Sequence, residues 1–142
     1  MKYLITGGCG FLGSNIASRI LQQKLGEVLL FDNLSRAGSD QNLAWLKTLG
    51  NFTFVNANTS DFDTVLHTVH TFNPDVIFHF AGQVAMTTSI ANPRLDFNTN
   101  VLRSFNVLEA VRQAAPGCAV VFSSINKVYR DLEQYTYQEG PT

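Results

Sequence analysis

The chain has 142 residues, 45% of them apolar, with a formal net charge of −1 and no long run of either sign. That apolar content excludes disorder and predicts one domain with a real core, and the charge balance excludes a general nucleic-acid binder. No apolar run approaches the ~20 residues of a membrane helix, and the N-terminus lacks a signal-peptide pattern. Cys9 and Cys118 stand far apart and form no C-x-x-C, so the expectation is a cytoplasmic chain with reduced thiols and no membrane partner.

Met1 to Thr6 reads as a short buried strand. Phe11 to about Lys24 reads as a helix, with Leu12, Ile16, Ile20 and Leu21 at helical spacing and Gly26 suited to its C-terminal end. Glu27 to Asp32 is a second apolar strand. Asn33 to Asp40 is a polar loop, Leu43 to Leu49 a short helix stopped at Gly50, and Phe52 to Val55 a third strand. Asp61 to Phe72 is an amphipathic helix with Val65, Leu66, Val69 and Phe72 on one side, broken by Asn73-Pro74-Asp75.

Val76 to Phe80 is a fourth strand, almost wholly apolar, as expected of a strand covered on both faces. Pro93 to about Ala114 reads as one long helix, with Asn92 its cap and Pro93 in its first turn. Ala119 to Phe122 is a fifth buried strand, ending in Ser123-Ser124. Beyond Val128 no element is assigned. Strands alternating with helices imply an α/β fold: a Rossmann-type, doubly wound parallel sheet with helices on both faces, incomplete at its C-terminal side. Right-handed crossovers bring the ends of the strands to one edge of the sheet, where ligands bind.

The residues at that edge carry the chemistry. Thr6-Gly7-Gly8-Cys9-Gly10-Phe11-Leu12-Gly13 lies between a strand and a helix, the context that a dinucleotide fingerprint requires. Two registers fit: Gly8, Gly10 and Gly13 as G-x-G-x-x-G, or Gly7, Gly10 and Gly13 as G-x-x-G-x-x-G. Either lets a pyrophosphate approach backbone N–H groups at a helix N-terminus. Asp32 ends the second strand about 20 residues on, where a carboxylate binds the adenosine ribose hydroxyls.

Asp32, Asn33, Ser35 and Arg36 read the adenosine half. The Asp32 carboxylate favours NAD over NADP, whose 2′-phosphate it repels, although an Arg at position 36 can accommodate that phosphate. Asn58 and Thr59 offer an amide and a hydroxyl to adenine; plain loop polarity explains them equally. Phe80-Ala81-Gly82-Gln83 leaves room for a ligand against backbone, and Met86 and Thr87 follow it in a hydroxyl-rich run that turn chemistry alone could explain. Ser123 and Ser124 place hydroxyls near the reacting end. His67 and His70 lack a third ligand, so no metal site is expected, and His79 reads as a hydrogen-bonded core histidine.

Taken together, Thr6 to Gly13, Asp32 to Arg36, His79 to Gly82, Asn100 and Ser123-Ser124 resemble the extended short-chain dehydrogenase/reductase family of nucleotide-sugar epimerases and dehydratases. The runs Phe31 to Arg36, Asn42 to Leu46, Ala81 to Ile90 and Asn126 to Tyr135 resemble its CDP-sugar 2-epimerase branch. The resemblance spans the chain, and the Gln83 to Ser89 run is more specific than the glycines.

The resemblance implies an NAD cofactor, bound by Gly7, Gly10, Phe11, Leu12, Gly13, Asp32, Asn33, Ser35, Arg36, Asn58, Thr59, Phe80, Ala81, Gly82, Gln83, Asn100 and Ser123. It implies a CDP-sugar or related nucleotide-sugar substrate, met by Gln83, Met86, Thr87, Ser124 and Asn126. The implied reaction oxidises C2 and returns the hydride to the other face. Ser124 is the one family catalytic residue that maps here, as an aid to proton transfer. The family's Tyr-x-x-x-Lys pair occurs nowhere in the chain.

Residues 1–142 therefore read as the cofactor-binding portion of a longer enzyme, without its substrate domain and expected to be inactive alone. The family often dimerises through the long helix, so the parent enzyme is expected to be a homo-oligomer. Leu102-Arg103 stand where relatives usually carry glycine. The alternatives are a UDP-hexose 4-epimerase or 4,6-dehydratase of the same family, or a non-catalytic NAD-binding module.

Overall fold

The computed structural model describes residues 1–124. Five strands alternate with helices: β1 (Lys2–Thr6), α1 (Phe11–Gln23), β2 (Glu27–Asp32), α2 (Ser39–Lys47), β3 (Thr53–Asn56), α3 (Phe62–Phe72), β4 (Val76–His79), α4 (Met86–Ala91), α5 (Pro93–Phe97), a π-turn (Asn98–Leu102), α6 (Arg103–Ala114) and β5 (Ala119–Phe122). The strands form one parallel sheet in the order β3-β2-β1-β4-β5. This is the doubly wound Rossmann arrangement expected from the alternation.

Strand periodicity sorts the core into two layers. Leu4, Leu29, Phe31 and Ile77 face Val65 and Val69 of α3 and Val107, Ala110 and Val111 of α6. Ile5, Val28 and Leu30 face Ala17 and Ile20 of α1 and Leu43 and Leu46 of α2. Asp61 caps α3 by accepting from the Thr64 N–H at 3.2 Å, and Asn92 caps α5 by accepting from Leu95 at 3.0 Å.

Several expectations need correction. α2 begins at Ser39, four residues before Leu43, because its first turn is polar and carries no apolar signal. α1 closes on Lys24 in the left-handed region (φ 53°). Gly26 is needed instead for close approach, since a Cβ there would lie 2.0 Å from the Met1 carbonyl oxygen. β4 ends at His79, one residue short of Phe80. The Thr87-Thr88-Ser89 run has side chains that compete for backbone bonds and favour turns, yet it lies within α4.

The long helix is divided by the π-turn, within which the Asn100 side chain is drawn to the loop after β4. β5 is not buried: Val121 and Phe122 are 44% and 56% exposed. Among the described residues it pairs with β4 alone, and no helix covers one of its faces.

One hydrogen-bond chain ties β1, β4 and α6 together. Ala81 N–H donates to Thr6 Oγ1 at 3.3 Å, and Thr6 Oγ1 lies 2.6 Å from His79 Nδ1. His79 Nε2 lies 3.0 Å from Ser104 Oγ, which donates to the Asn100 carbonyl at 2.6 Å. Because the Ser104 hydroxyl is already donating, it must accept from the imidazole, which puts the proton on Nε2 and leaves Nδ1 to accept from Thr6. His79 is thus a satisfied neutral core histidine, as expected.

Burial lowers its pKa from 6.5 to about 4. The unfolded chain therefore takes up a proton between these values that the native chain refuses, so stability falls as pH drops through that window. From pH 6.5 to about pH 5 the loss should be roughly 2 kcal/mol. Urea unfolding across this range tests it, and His79→Gln should flatten the slope; a wild-type profile that is already flat refutes the assignment.

Candidate functional site

The C-terminal ends of all five strands open onto one cleft of about 730 Å³. That size suits a small-molecule or cofactor site. Its floor is the glycine turn after β1. Gly7, Gly10 and Gly13 line the cleft, whereas Gly8 packs inward, where a Cβ would meet Leu30 Cδ2 at 2.9 Å. The structure thus selects the G-x-x-G-x-x-G register. Gly7 sits at φ 66°, and its Cβ would lie 2.8 Å from the Ala81 nitrogen. At Gly13 a Cβ would lie 2.2 Å from the Gly7 carbonyl oxygen.

This packing places the start of α1 at the cleft. Gly10 is its N-cap, no side chain caps it, and its first turn holds no acid. The first helical N–H groups therefore have no acceptor among the described residues. An uncapped N-terminus with its partial positive charge is suited to a phosphate group. Phe11 and Leu12 stand exposed beside it.

Asp32 faces this turn from the end of β2. Its Oδ2 accepts from Cys9 N–H at 2.9 Å and its Oδ1 from Leu34 N–H at 2.8 Å. The second bond holds Leu34 in the left-handed region, at φ 54°. A carboxylate has about four acceptor positions, so two stay open for ribose hydroxyls. Burial, then the Asp32 charge, pushes the Cys9 thiol up to about 12, which keeps it protonated and unreactive.

Asn33, Ser35 and Arg36 line the cleft as expected. Asn33 Oδ1 accepts from Ser35 N–H at 3.1 Å. Arg36 Nη2 donates to the Gly82 carbonyl at 3.0 Å and reaches within 3.5 Å of Gln83 Oε1. Its guanidinium thus spans the mouth between the loops after β2 and β4. Asn58 and Thr59 also line the cleft, and Asn58 Oδ1 accepts from Ser60 N–H at 3.0 Å.

The loop after β4 supplies Phe80, Ala81, Gly82 and Gln83, and Ser123 joins from β5. Asn100 does not line the cleft. Its Oδ1 accepts from Gln83 N–H at 2.8 Å, and its Nδ2 donates to the Gln83 carbonyl and to Asp96 Oδ1, both at 2.9 Å. Its amide is committed to holding the loop. Met86, Thr87 and Ser124 are exposed outside the cleft, and Asn126 lies outside the described residues.

Sequence reasoning missed Ser39, Ala57, Leu95, Thr99 and Arg103 as cleft residues; all of them line it, as does Val84 of the Gln83 to Ser89 run. Ala57 and Val84 adjoin residues that were identified. The helix residues carried one signal, the arginine at a position where small residues are usual.

A family model described as GDP-mannose 4,6 dehydratase matches residues 4–141. CDP-paratose 2-epimerase from Salmonella typhi is 55% identical over 142 residues, all of this chain and 42% of that protein. The solved structure of a UDP-glucose-4-epimerase from Stenotrophomonas maltophila, with bound NAD and formylated UDP-arabinopyranose, superposes with a TM-score of 0.83 at 26% identity. The match covers 94% of this chain and 39% of that one. A UDP-glucose 4-epimerase from Thermus thermophilus, in complex with NAD, gives a TM-score of 0.76 at 30% identity, over 97% of this chain and 44% of that one. The chain spans about two-fifths of the length of the curated relative.

The glycine packing is testable by itself. Gly13→Ala should cost roughly 3 kcal/mol in urea unfolding, since only backbone can give way. Gly117→Ala, where a Cβ meets nothing within 4 Å, should change stability by about 0.5 kcal/mol at most. Equal effects at the two positions would show that the turn is not sterically closed.

Proposed function

The chain belongs to the GDP-mannose 4,6 dehydratase family, and from that membership we propose that it is the cofactor-binding part of an NAD-dependent nucleotide-sugar epimerase. The observation that carries the proposal is the joining of three features in one cleft. These are a glycine turn closed to side chains, an uncapped helix N-terminus, and the Asp32 carboxylate at the next strand end.

The residues present fit NAD. Phe11, Leu12 and Gly13 would offer backbone donors to the pyrophosphate. Asp32 would take the adenosine ribose hydroxyls on its open lone pairs, and Asn33 and Asn58 lie beside the adenine end. The Asp32 carboxylate at the end of β2 supports NAD over NADP, whose 2′-phosphate it would repel. When bound, NAD would supply hydride abstraction from the sugar and its return.

The substrate we favour is CDP-paratose, converted to CDP-tyvelose at C2. The 55% identity to CDP-paratose 2-epimerase supports this, as does the Gln83 to Ser89 run. Asn100 fixes Gln83 at the cleft rim, where its amide can meet the sugar-nucleotide. Ser123 presents a hydroxyl at the end of β5, whereas Ser124, the proton-handling hydroxyl that the resemblance implies, stands outside the cleft lining. No Tyr-x-x-x-Lys occurs in the 142 residues, and the whole reaction is proposed for a protein of its relatives' full length. A UDP-hexose 4-epimerase is the second reading, favoured by the fold shared with the Stenotrophomonas enzyme.

Thermal unfolding with NAD, with NADP and with neither tests the cofactor assignment. NAD at 100 times its dissociation constant should add about 2.7 kcal/mol of stability, and NADP clearly less at equal concentration. A cooperative transition that neither nucleotide moves refutes it.

A further inference from the structure

Arg103 is the residue that the cofactor reading leaves without a task. It opens α6 directly after the π-turn and lines the cleft with Leu95 and Thr99. These three recur every four residues, as one wall of the cleft. Four residues overshoot an α-helical turn by about 40°. The wider π-turn, bonded i to i+5, takes up that overshoot and keeps Arg103 in line with Thr99.

Among the described residues no acid pairs with the Arg103 guanidinium. Its Nε is buried with no hydrogen-bond partner among the described residues. Among the described residues, the one acid lining the cleft is Asp32, whose oxygens accept from Cys9 and Leu34. The ion pair found among the described residues is Arg112 with Glu109, on the surface of α6. The other cleft arginine, Arg36, is donating to Gly82. A partly buried cation with an unmet donor is costly unless an anion completes it.

We propose that Arg103 is a diphosphate-binding residue, pairing its Nη donors with phosphate oxygens of a ligand that enters this cleft. Its planar fork matches two phosphate oxygens side by side. The helix N-terminus of α1 lines the same cleft and supplies only partial charge, and Arg103 adds a full positive charge to the cleft wall. The diphosphate can belong to the dinucleotide or to the nucleotide-sugar. The inference rests on the cofactor reading for the presence of such a ligand, and adds a residue on the helix wall.

The test is binding of NAD, ADP, adenosine, CDP and cytidine to the 142-residue chain, wild type against Arg103→Gln and Arg103→Lys, with melting curves to confirm folding. Arg103→Gln should weaken ADP and NAD about 10- to 100-fold, the range for lost charged hydrogen bonds, and leave adenosine unchanged. Arg103→Lys should recover part of the loss, because it keeps the charge and loses the fork. The same pattern for CDP against cytidine, with ADP unaffected, would assign the contact to the sugar-nucleotide. Equal binding by wild type and Arg103→Gln, or equal weakening of ADP and adenosine, overturns the inference while NAD binding itself stands. Wild type that binds neither NAD nor any diphosphate overturns the cofactor reading and this inference with it.

Discussion

The arrangement depends on one steric fact: the start of α1 rests directly on the turn that leaves β1. A Cβ at Gly13 would sit 2.2 Å from the Gly7 carbonyl oxygen, and one at Gly7 would run into the backbone of Ala81. With no side chains between them, the β1 turn, the head of α1 and the loop after β4 close to backbone distance. The Gly7 N–H donates to the Phe31 carbonyl at 2.9 Å, so the end of β2 is held in the same knot. Asp32, one residue on, is thereby aimed back at Cys9. The cleft exists because these backbones cannot separate without losing bonds, and cannot be filled by any larger residue.

The polar groups around the cleft divide by their remaining capacity. Asn100 spends both ends of its amide on Gln83 and Asp96, and so shapes the site without meeting a ligand. Arg36 spends a donor on Gly82 and still faces the mouth. Asp32 spends two lone pairs and keeps two. Chemically similar residues thus take different roles according to what the fold has already consumed, and a position at the sheet edge does not distinguish them.

That is why the sequence was legible in some places and not in others. The strands, α1 and α3 were readable because alternation and helical spacing record burial directly. The glycine turn and Asp32 were readable because their residue types are set by sterics and charge. α4 was not, since Thr87, Thr88 and Ser89 favour turns and their helicity is set by surroundings, including a Ser89 hydroxyl donating to Asp96 at 2.7 Å. The break in the long helix was hidden for a similar reason: nothing in Asn98 to Leu102 marks a π-turn until the Asn100–Gln83 clamp is known. Arg103 was visible as an oddity, but its place on the cleft wall follows from that turn.

The two ends of the cleft rest on unequal foundations. The end at Asp32 is built on β1 and β2, whose Ile5, Leu30 and Phe31 are at most 2% exposed and lie in both core layers. The opposite end rests on the rim of β5, where Phe122 is more than half exposed and Ser123 follows it. Local openings cost least where few apolar contacts are lost. The Gly7–Gly13 turn and Asp32 are therefore held by the most deeply buried strands among the described residues. On the proposed reading, a ligand spanning both ends would stabilise the weaker by tying it to the stronger. The proposed contact at Arg103, on the helix wall, would tie α6 to the same ligand.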